Sequence, residues 1–345
     1  MPAEWESHEA TWLAWPHEKS DWPGKFAPVP WVYGEMVRYL SRVEKVSILI
    51  GDEKAERAAR TVLEKSGATM GAIEFVRLPT DRSWTRDFCP IFVHGADGKL
   101  AMTHWRFNGW AKYDNHALDA AIPASLRRKL RLPYVKPMDG KRHVVLEGGS
   151  IDVNGRGTLL TTEECLLSPI QARNPGMSRK RIQELLNENL GASNVLWLKD
   201  GIEGDDTHGH VDDLARFVNP TTVVIASESD RAEKNHAVLS ENYRLLRTFR
   251  DQDGRKLDVV KLPMPRPVIF DGQRLPASYA NFYIANGIVL VPVFNDPADR
   301  VALNTLARLF PSRQVIPIYC GDLVLGLGTL HCATQQQPCP AQATT

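Results

Sequence analysis

The chain has 345 residues, 43% of them apolar and 24% charged, with a formal net charge of +1. That balance suits a globular chain with a substantial core and excludes a broad nucleic-acid surface, which needs a basic excess. There is no apolar run near the ~20 residues of a membrane helix, and the start, Met1-Pro-Ala-Glu-Trp5, lacks the basic and apolar segments of an export signal.

Five cysteines, odd in number and scattered, point to reduced thiols in a cytoplasmic protein rather than a disulfide scaffold. Cys89 and Cys165 sit in apolar stretches and are expected to be buried spectators, and Cys339 lies in a Pro-rich tail. One catalytic domain over residues 1–340 is expected, with 341–345 a disordered tail. Five tryptophans before position 32 read as a packed N-terminal segment or an interface, and a homo-oligomer stays open.

Taken in chain order, one pattern recurs five times: a β-rich run, a helical stretch and a second β-rich run. The first copy opens at Val46–Gly51, passes a helix over Glu53–Lys65 and ends at Phe75–Pro79. The second opens at Lys99–His104 and ends near Tyr134–Pro137. The third runs from Gly157–Thr162 through a helix at Arg179–Asn189 to Val195–Leu198. The fourth runs from Thr222–Ala226 through Ala237–Thr248 to Val259–Pro263, and the fifth from Ile288–Pro292 through Ala298–Phe310 to Val315–Ile318. Alternating strands and helices give an α/β fold, either an ordinary open sheet or a ring of five units. The polar residues favour the ring. The loop after the second strand of each copy carries Trp84-Thr-Arg-Asp87, Glu147-Gly-Gly149, Asp205–Asp212, Ser278-Tyr-Ala-Asn281 or Thr329-Leu-His-Cys332. Five loops at one phase of five repeats converge on a single axis, whereas an open sheet would spread them along an edge.

Cys332 is the candidate nucleophile. Taken alone it reads equally as a small buried residue at a strand end, so the case rests on partners elsewhere in the chain. Asp205-Asp-Thr-His-Gly-His-Val-Asp-Asp213 packs four carboxylates and two imidazoles into nine residues. If extended, it places His208, His210 and Asp212 on one face. A carboxylate beside an imidazole raises its proton affinity, which suits His210 as acid and base. The same spacing is a metal-ligand pattern, but Asp213 stands where a di-metal hydrolase would carry another His, and only His236 and His331 remain downstream. Asp87 beside Trp84 is equipped for a planar cation, with the carboxylate forking to two N–H groups and the ring covering a face. Asp87 and Asp212 would hold a guanidinium from two sides, and Glu147 is a turn residue or a third carboxylate. Asp206 and His208 are further candidates for substrate contact. A thiolate attacks a desolvated, pinned guanidinium carbon, ammonia leaves with a proton from His210, and water then releases a urea. No metal, nucleotide or redox cofactor is required. Gly326-Leu-Gly328 does not open a predicted helix and is weak as a phosphate loop.

The ordered set Pro2–Glu6, Thr11–Pro16, Trp84–Asp87, Glu147–Asp152, Thr161–Leu166, Gly209–Asp212, Ser278–Tyr283 and His331–Gln336 resembles the agmatine deiminase family, also called the Porphyromonas-type peptidyl-arginine deiminase family, over nearly the whole chain. The resemblance implies a five-fold pseudosymmetric α/β propeller. It also implies hydrolysis of agmatine to N-carbamoylputrescine and ammonia, on the way to putrescine. By motif it makes Cys332 the nucleophile, His210 the acid and base, Asp87 and Asp212 the guanidinium carboxylates, Asn281 and Glu147 site residues and Trp84 a pocket wall. Leu327 and Thr329 depart from the family's Gly and Asn before the cysteine, His208 from its Asp or Asn, and Cys89 from a Gly. Arginine or another guanidine, or transfer of the amidine to an amine, stays open as an alternative, as does a silent polyamine-binding protein.

Overall fold

The structure, a computed structural model, describes residues 1–341. Four of the five units are three-stranded sets that share one topology. In the third, Asp152–Val153 pairs antiparallel with Thr158–Thr162, which pairs in parallel with Asn194–Leu198 after the helix Arg179–Leu190. The fourth repeats this with Ala215–Asn219, Thr222–Ser227 and Asp258–Pro263 around the helix Asn235–Leu246. The fifth does so with Tyr283–Ala285, Ile288–Val293 and Gln314–Tyr319 around Pro297–Leu309. In the second, Ile91–His94, Leu100–Thr103 and Tyr134–Val135 surround Ala117–Leu130, which carries Pro123 inside it.

The first set is different. His8–Ala14 runs parallel to Lys45–Ile50, which pairs in parallel with Ile73–Arg77. On its other side the C-terminal strand Gln335–Pro338 runs antiparallel, with Thr11 opposite Gln336. The two ends of the chain therefore meet in one sheet, and Trp12 Nε1 donates to Gln337 Oε1 at 2.9 Å. Ala341 N donates to Gly98 O at 3.1 Å; of the tail expected at 341–345, residues 342–345 lie outside the described residues.

The middle strands are apolar along both faces because both are covered: Thr222–Ala226 is buried throughout. Helices start and stop on local signals. Asp52 caps Glu53–Ser66 by accepting from Ala55 N, and Gly67 ends it at φ +76°, where a residue without Cβ is unstrained. Asp296 and Asp299 form a capping box at the start of Pro297–Leu309. The buried apolar side chains form four clusters. One contains Leu159 with Trp105, another Phe217 with Leu196, a third Val289 with Val224, and the largest joins Leu290 to Val46 and Phe88. Each unit thus shares a core with the next, and the last shares one with the first. No described helix is long and apolar enough to cross a membrane.

Leu290 is fully buried in the cluster shared by the last and first units. Leu290→Ala should lower unfolding free energy by about 2–5 kcal/mol, read as a shift of the urea midpoint at unchanged slope. A shift below a tenth of that would show that this junction adds little to stability.

Candidate active site

In every unit the loop after the second parallel strand leaves the same edge, and these loops bring the site together. Trp84 leads into the short helix Thr85–Phe88, Glu147 precedes the turn Gly148–Ser150, and His210 precedes the turn Val211–Asp213. Ser278–Asn281 and Thr329–Cys332 complete the set.

Cys332 lines a cavity of about 330 Å³ together with Trp84, Asp87, Trp110, Asp206 and Leu327. Asn281 Nδ2 lies 3.1 Å from its Sγ, and the thiol donates towards Asp212 Oδ2 at 3.6 Å. Asp212 Oδ2 also lies 2.7 Å from His331 Nδ1, whose Nε2 is 2.8 Å from Glu4 Oε2. His210 is buried with no hydrogen-bond partner on either ring nitrogen. Its Nδ1 is 3.9 Å from Asp87 Oδ1 and 4.0 Å from Asp212 Oδ1, and its Nε2 is 3.5 Å from Glu147 Oε2. Asp87 accepts from Trp110 Nε1 at 2.9 Å and from Gly149 N at 3.1 Å. Glycine is required at 149 by space: a Cβ there would lie 2.6 Å from His210 Nδ1 and 2.9 Å from Asp87 Oδ1.

The electrostatics follow from crowding three carboxylates around one ring and one thiol. Burial disfavours a charged His210, but Asp87, Cys165 and Glu147 outweigh it and raise its pKa well above the usual value. Burial, then Asp212 and Glu147, push the Asp87 carboxyl up to about 6 against the pull of His210. Asp212 is held below the ordinary carboxylate range, because His331 and His210 outweigh its burial. Its neighbour Asp213 is driven well above that range by burial and by Asp212. The Cys332 thiol is raised well above its usual value by burial, then by Asp212, Asp213 and Asp87. The site therefore holds a proton on both His210 and Cys332 until a further cation arrives.

Of the residues expected from sequence, Trp84, Asp87, Asp206 and Cys332 line the cavity. Glu147, His210, Asp212 and Asn281 stand behind that wall. Glu147 accepts from Arg173 Nε at 3.0 and 3.2 Å, so its charge is matched and not free for a ligand. His208 is not at the site. Its ring is turned onto Ser168 Oγ at 3.1 Å and Glu164 at 3.4 Å. The segment is not extended: φ is +62° at His208 and +88° at Gly209, so alternate residues do not share a face. The His208–His210–Asp212 ligand set does not assemble. Two other donor groups come close enough for a cation, Glu147–Cys165–His210 and Asp212–Asp213–Cys332. Arg173 opposes a metal in the first, where it already pairs with Glu147. Glu4, Trp110, Arg173, Asp213 and His331 went unrecognised as site components. Glu4 and His331 lie in the segments that carry the family resemblance, but Trp110 and Arg173 fall in no motif.

A family model for Porphyromonas-type peptidyl-arginine deiminase matches residues 1–338. The chain belongs to that family. Among deiminases of the family, the agmatine deiminase of Stutzerimonas stutzeri is 36% identical over 99% of this chain and 95% of its own. That of Pseudomonas aeruginosa is 35% identical over 99% and 96%. The solved agmatine deiminase of Enterococcus faecalis has a TM-score of 0.90 at 30% identity, covering 98% of this chain and 95% of its own. A cysteine-to-serine variant of the C. jejuni agmatine deiminase, solved with substrate bound, has a TM-score of 0.87 at 29% identity, covering 99% and 96%. An amidinotransferase from Microseira wollei, 11% identical at a TM-score of 0.53, shares the fold alone.

Because burial and then nearby anions hold the Cys332 thiol protonated, iodoacetamide should label it slowly at pH 7 and faster as pH rises. Asp87→Asn removes one of those anions and should speed labelling at pH 7 by up to about tenfold, read by peptide mass mapping. An unchanged or slower rate would contradict the assigned electrostatics.

Proposed function

We propose that this chain is an agmatine deiminase, converting agmatine and water to N-carbamoylputrescine and ammonia, and that its five units form the blades of a pseudo-five-fold propeller. The shared cores between successive units, and between the last and the first, support the ring. The observation that carries the activity is the placement of Cys332 and Asp87 on the cavity wall with Asp212 directly behind the thiol and His210 between the two carboxylates. The names of the relatives at 35–36% identity support agmatine as the substrate.

Asp87 and Asp212 take the guanidinium N–H groups and Trp84 covers its face. The arriving cation offsets the anions that disfavour thiolate, and Cys332 releases its proton to solvent. Sγ then bonds the guanidinium carbon, and the C=N electron pair moves onto nitrogen. His210 protonates one NH2 group, the C–N bond breaks and ammonia leaves, giving a thiouronium. A water attacks that carbon, His210 takes back one proton, and the C–S bond breaks as the carbonyl forms. The hydroxyl proton returns the sulfur to its thiol. Glu147, fixed by Arg173, faces the imidazolium before His210 gives up its proton and after it takes one back.

Cys332→Ala should abolish ammonia release from agmatine, a loss beyond about 10⁴-fold, while agmatine still binds by calorimetry. Retention of near-normal turnover would refute the thiol mechanism.

Asp87 must be ionised to hold the cation, and its pKa is pushed up to about 6. Below about pH 6 the kcat/KM for agmatine should therefore fall more steeply than loss of the Cys332 thiolate alone dictates. Asp87→Asn should lower kcat/KM at neutral pH and flatten that limb; an identical acid limb in the variant would assign it to another group.

A further inference from the structure

The cavity before Cys332 is lined by three carboxylates besides Asp87, namely Asp21, Asp206 and Asp271. Two are already matched. Asp21 pairs with Arg82, whose guanidinium also stacks 4.4 Å from the Tyr113 ring centre. Asp206 pairs with Lys112 and accepts from the Tyr113 hydroxyl at 2.7 Å. Asp271 has no hydrogen-bond or ion-pair partner among the described residues.

Asp271 is held in place nonetheless. It sits at the tip of a hairpin in which Ile269–Phe270 pairs antiparallel with Gln273–Arg274. The tip residues Asp271 and Gly272 have φ of +48° and +77°, the left-handed pair that closes a two-residue turn. Arg274 Nη1 bonds Glu233 at 2.8 Å, Leu275 N donates to Val268 O at 2.9 Å, and Lys25 Nζ lies 5.4 Å from the Phe270 ring centre. Phe270, Asp271 and Gln273 all face the cavity. Asp271 is exposed on this anchored turn and lines the mouth of the cavity that holds Cys332, so it offers an unmatched carboxylate to a cation entering there.

We propose that Asp271 receives the primary ammonium at the far end of the substrate, so that it selects a guanidine with a cationic tail. This rests on the deiminase reading. Agmatine carries two cations joined by a four-carbon chain, and Asp87 with Asp212 accounts for only one. The other carboxylates on the wall are already neutralised by Arg82 and Lys112. An α-carboxylate, as in arginine, would meet Asp271 with like charge and be disfavoured.

The test compares kcat/KM for agmatine with that for butylguanidine, which has the same chain and no ammonium, in the wild-type protein, Asp271→Asn, Asp271→Glu and Asp206→Asn. Asn tolerates the left-handed backbone at 271, so the turn should survive. The agmatine-to-butylguanidine ratio should fall about tenfold in Asp271→Asn and recover in part in Asp271→Glu, while arginine gains relative to agmatine. An unchanged ratio in Asp271→Asn, or a fall confined to Asp206→Asn, overturns the assignment. A wild-type protein that releases ammonia from neither guanidine refutes the deiminase reading itself, and the inference with it.

Discussion

The carboxylate of Glu4 is buried where the site loops meet, and four donors make its charge tolerable there. Arg216 Nη2 reaches one oxygen at 2.9 Å and Ile284 N the same oxygen at 2.8 Å; Arg86 Nη2 and His331 Nε2 reach the other at 3.2 and 2.8 Å. Burial alone would push this carboxyl up, but Arg216, His331 and Arg86 hold it well below the ordinary range. A buried ion that loses its partners costs several kcal/mol, so the Glu4 carboxylate ties together the segments that carry its four donors. Arg216 also binds Asp152 at 2.8 Å, and Arg86 binds Gln336 at 2.6 Å. Through His331 the network reaches Asp212, and through Asp212 the sulfur. An N-terminal residue thereby helps to set where the Cys332 sulfur stands.

That network leaves the reacting centre short of positive charge. Asp87, Asp212 and Asp213 all disfavour a thiolate at Cys332, and the His210 imidazolium is already matched by Asp87 and Glu147. On the proposed deiminase reading, the missing charge is the substrate's own. A guanidinium between the carboxylates lowers the cost of ionising Cys332 where its carbon is within reach, while a neutral molecule of the same shape does not. The urea group that replaces the guanidinium is neutral and loses this attraction as soon as it forms, which favours the product's departure. One arrangement of charge thus serves recognition, activation and release.

Much of this was legible in the chain. The continuous apolar runs at Val46, Thr222 and Ile288 announce strands covered on both faces, and the phase of the polar loops shows that their side chains converge. What failed was geometry within a loop. Alternation placed His208 beside His210, but positive φ at His208 and Gly209 turns the first ring away onto Glu164. Spacing in sequence carries no sign of that reversal beyond the single glycine. Glu4 and His331 are 327 positions apart, and no local pattern links them. Arg173 sits in a loop without periodicity, so its role is visible only once Glu147 is seen to be buried.

The segment before Cys332 shows how close packing and backbone conformation divide the demand for glycine. A Cβ at 328 would lie 2.9 Å from the Trp84 ring and 3.0 Å from Cys332 Cβ, so space alone requires glycine there. Position 327 must adopt φ +67°, where a side chain costs about 1–2 kcal/mol, yet it carries Leu. The strain places an apolar side chain on the cavity wall, where the methylene chain of a substrate needs a surface that does not hydrate. Thr329, in turn, donates to Asn281 Oδ1 at 2.8 Å, and the same oxygen accepts from His331 N at 3.0 Å and Cys332 N at 3.3 Å. Asn281 Nδ2 then reaches Sγ itself. The strained leucine is thus followed directly by a segment pinned at three points, so its cost does not become disorder at the sulfur.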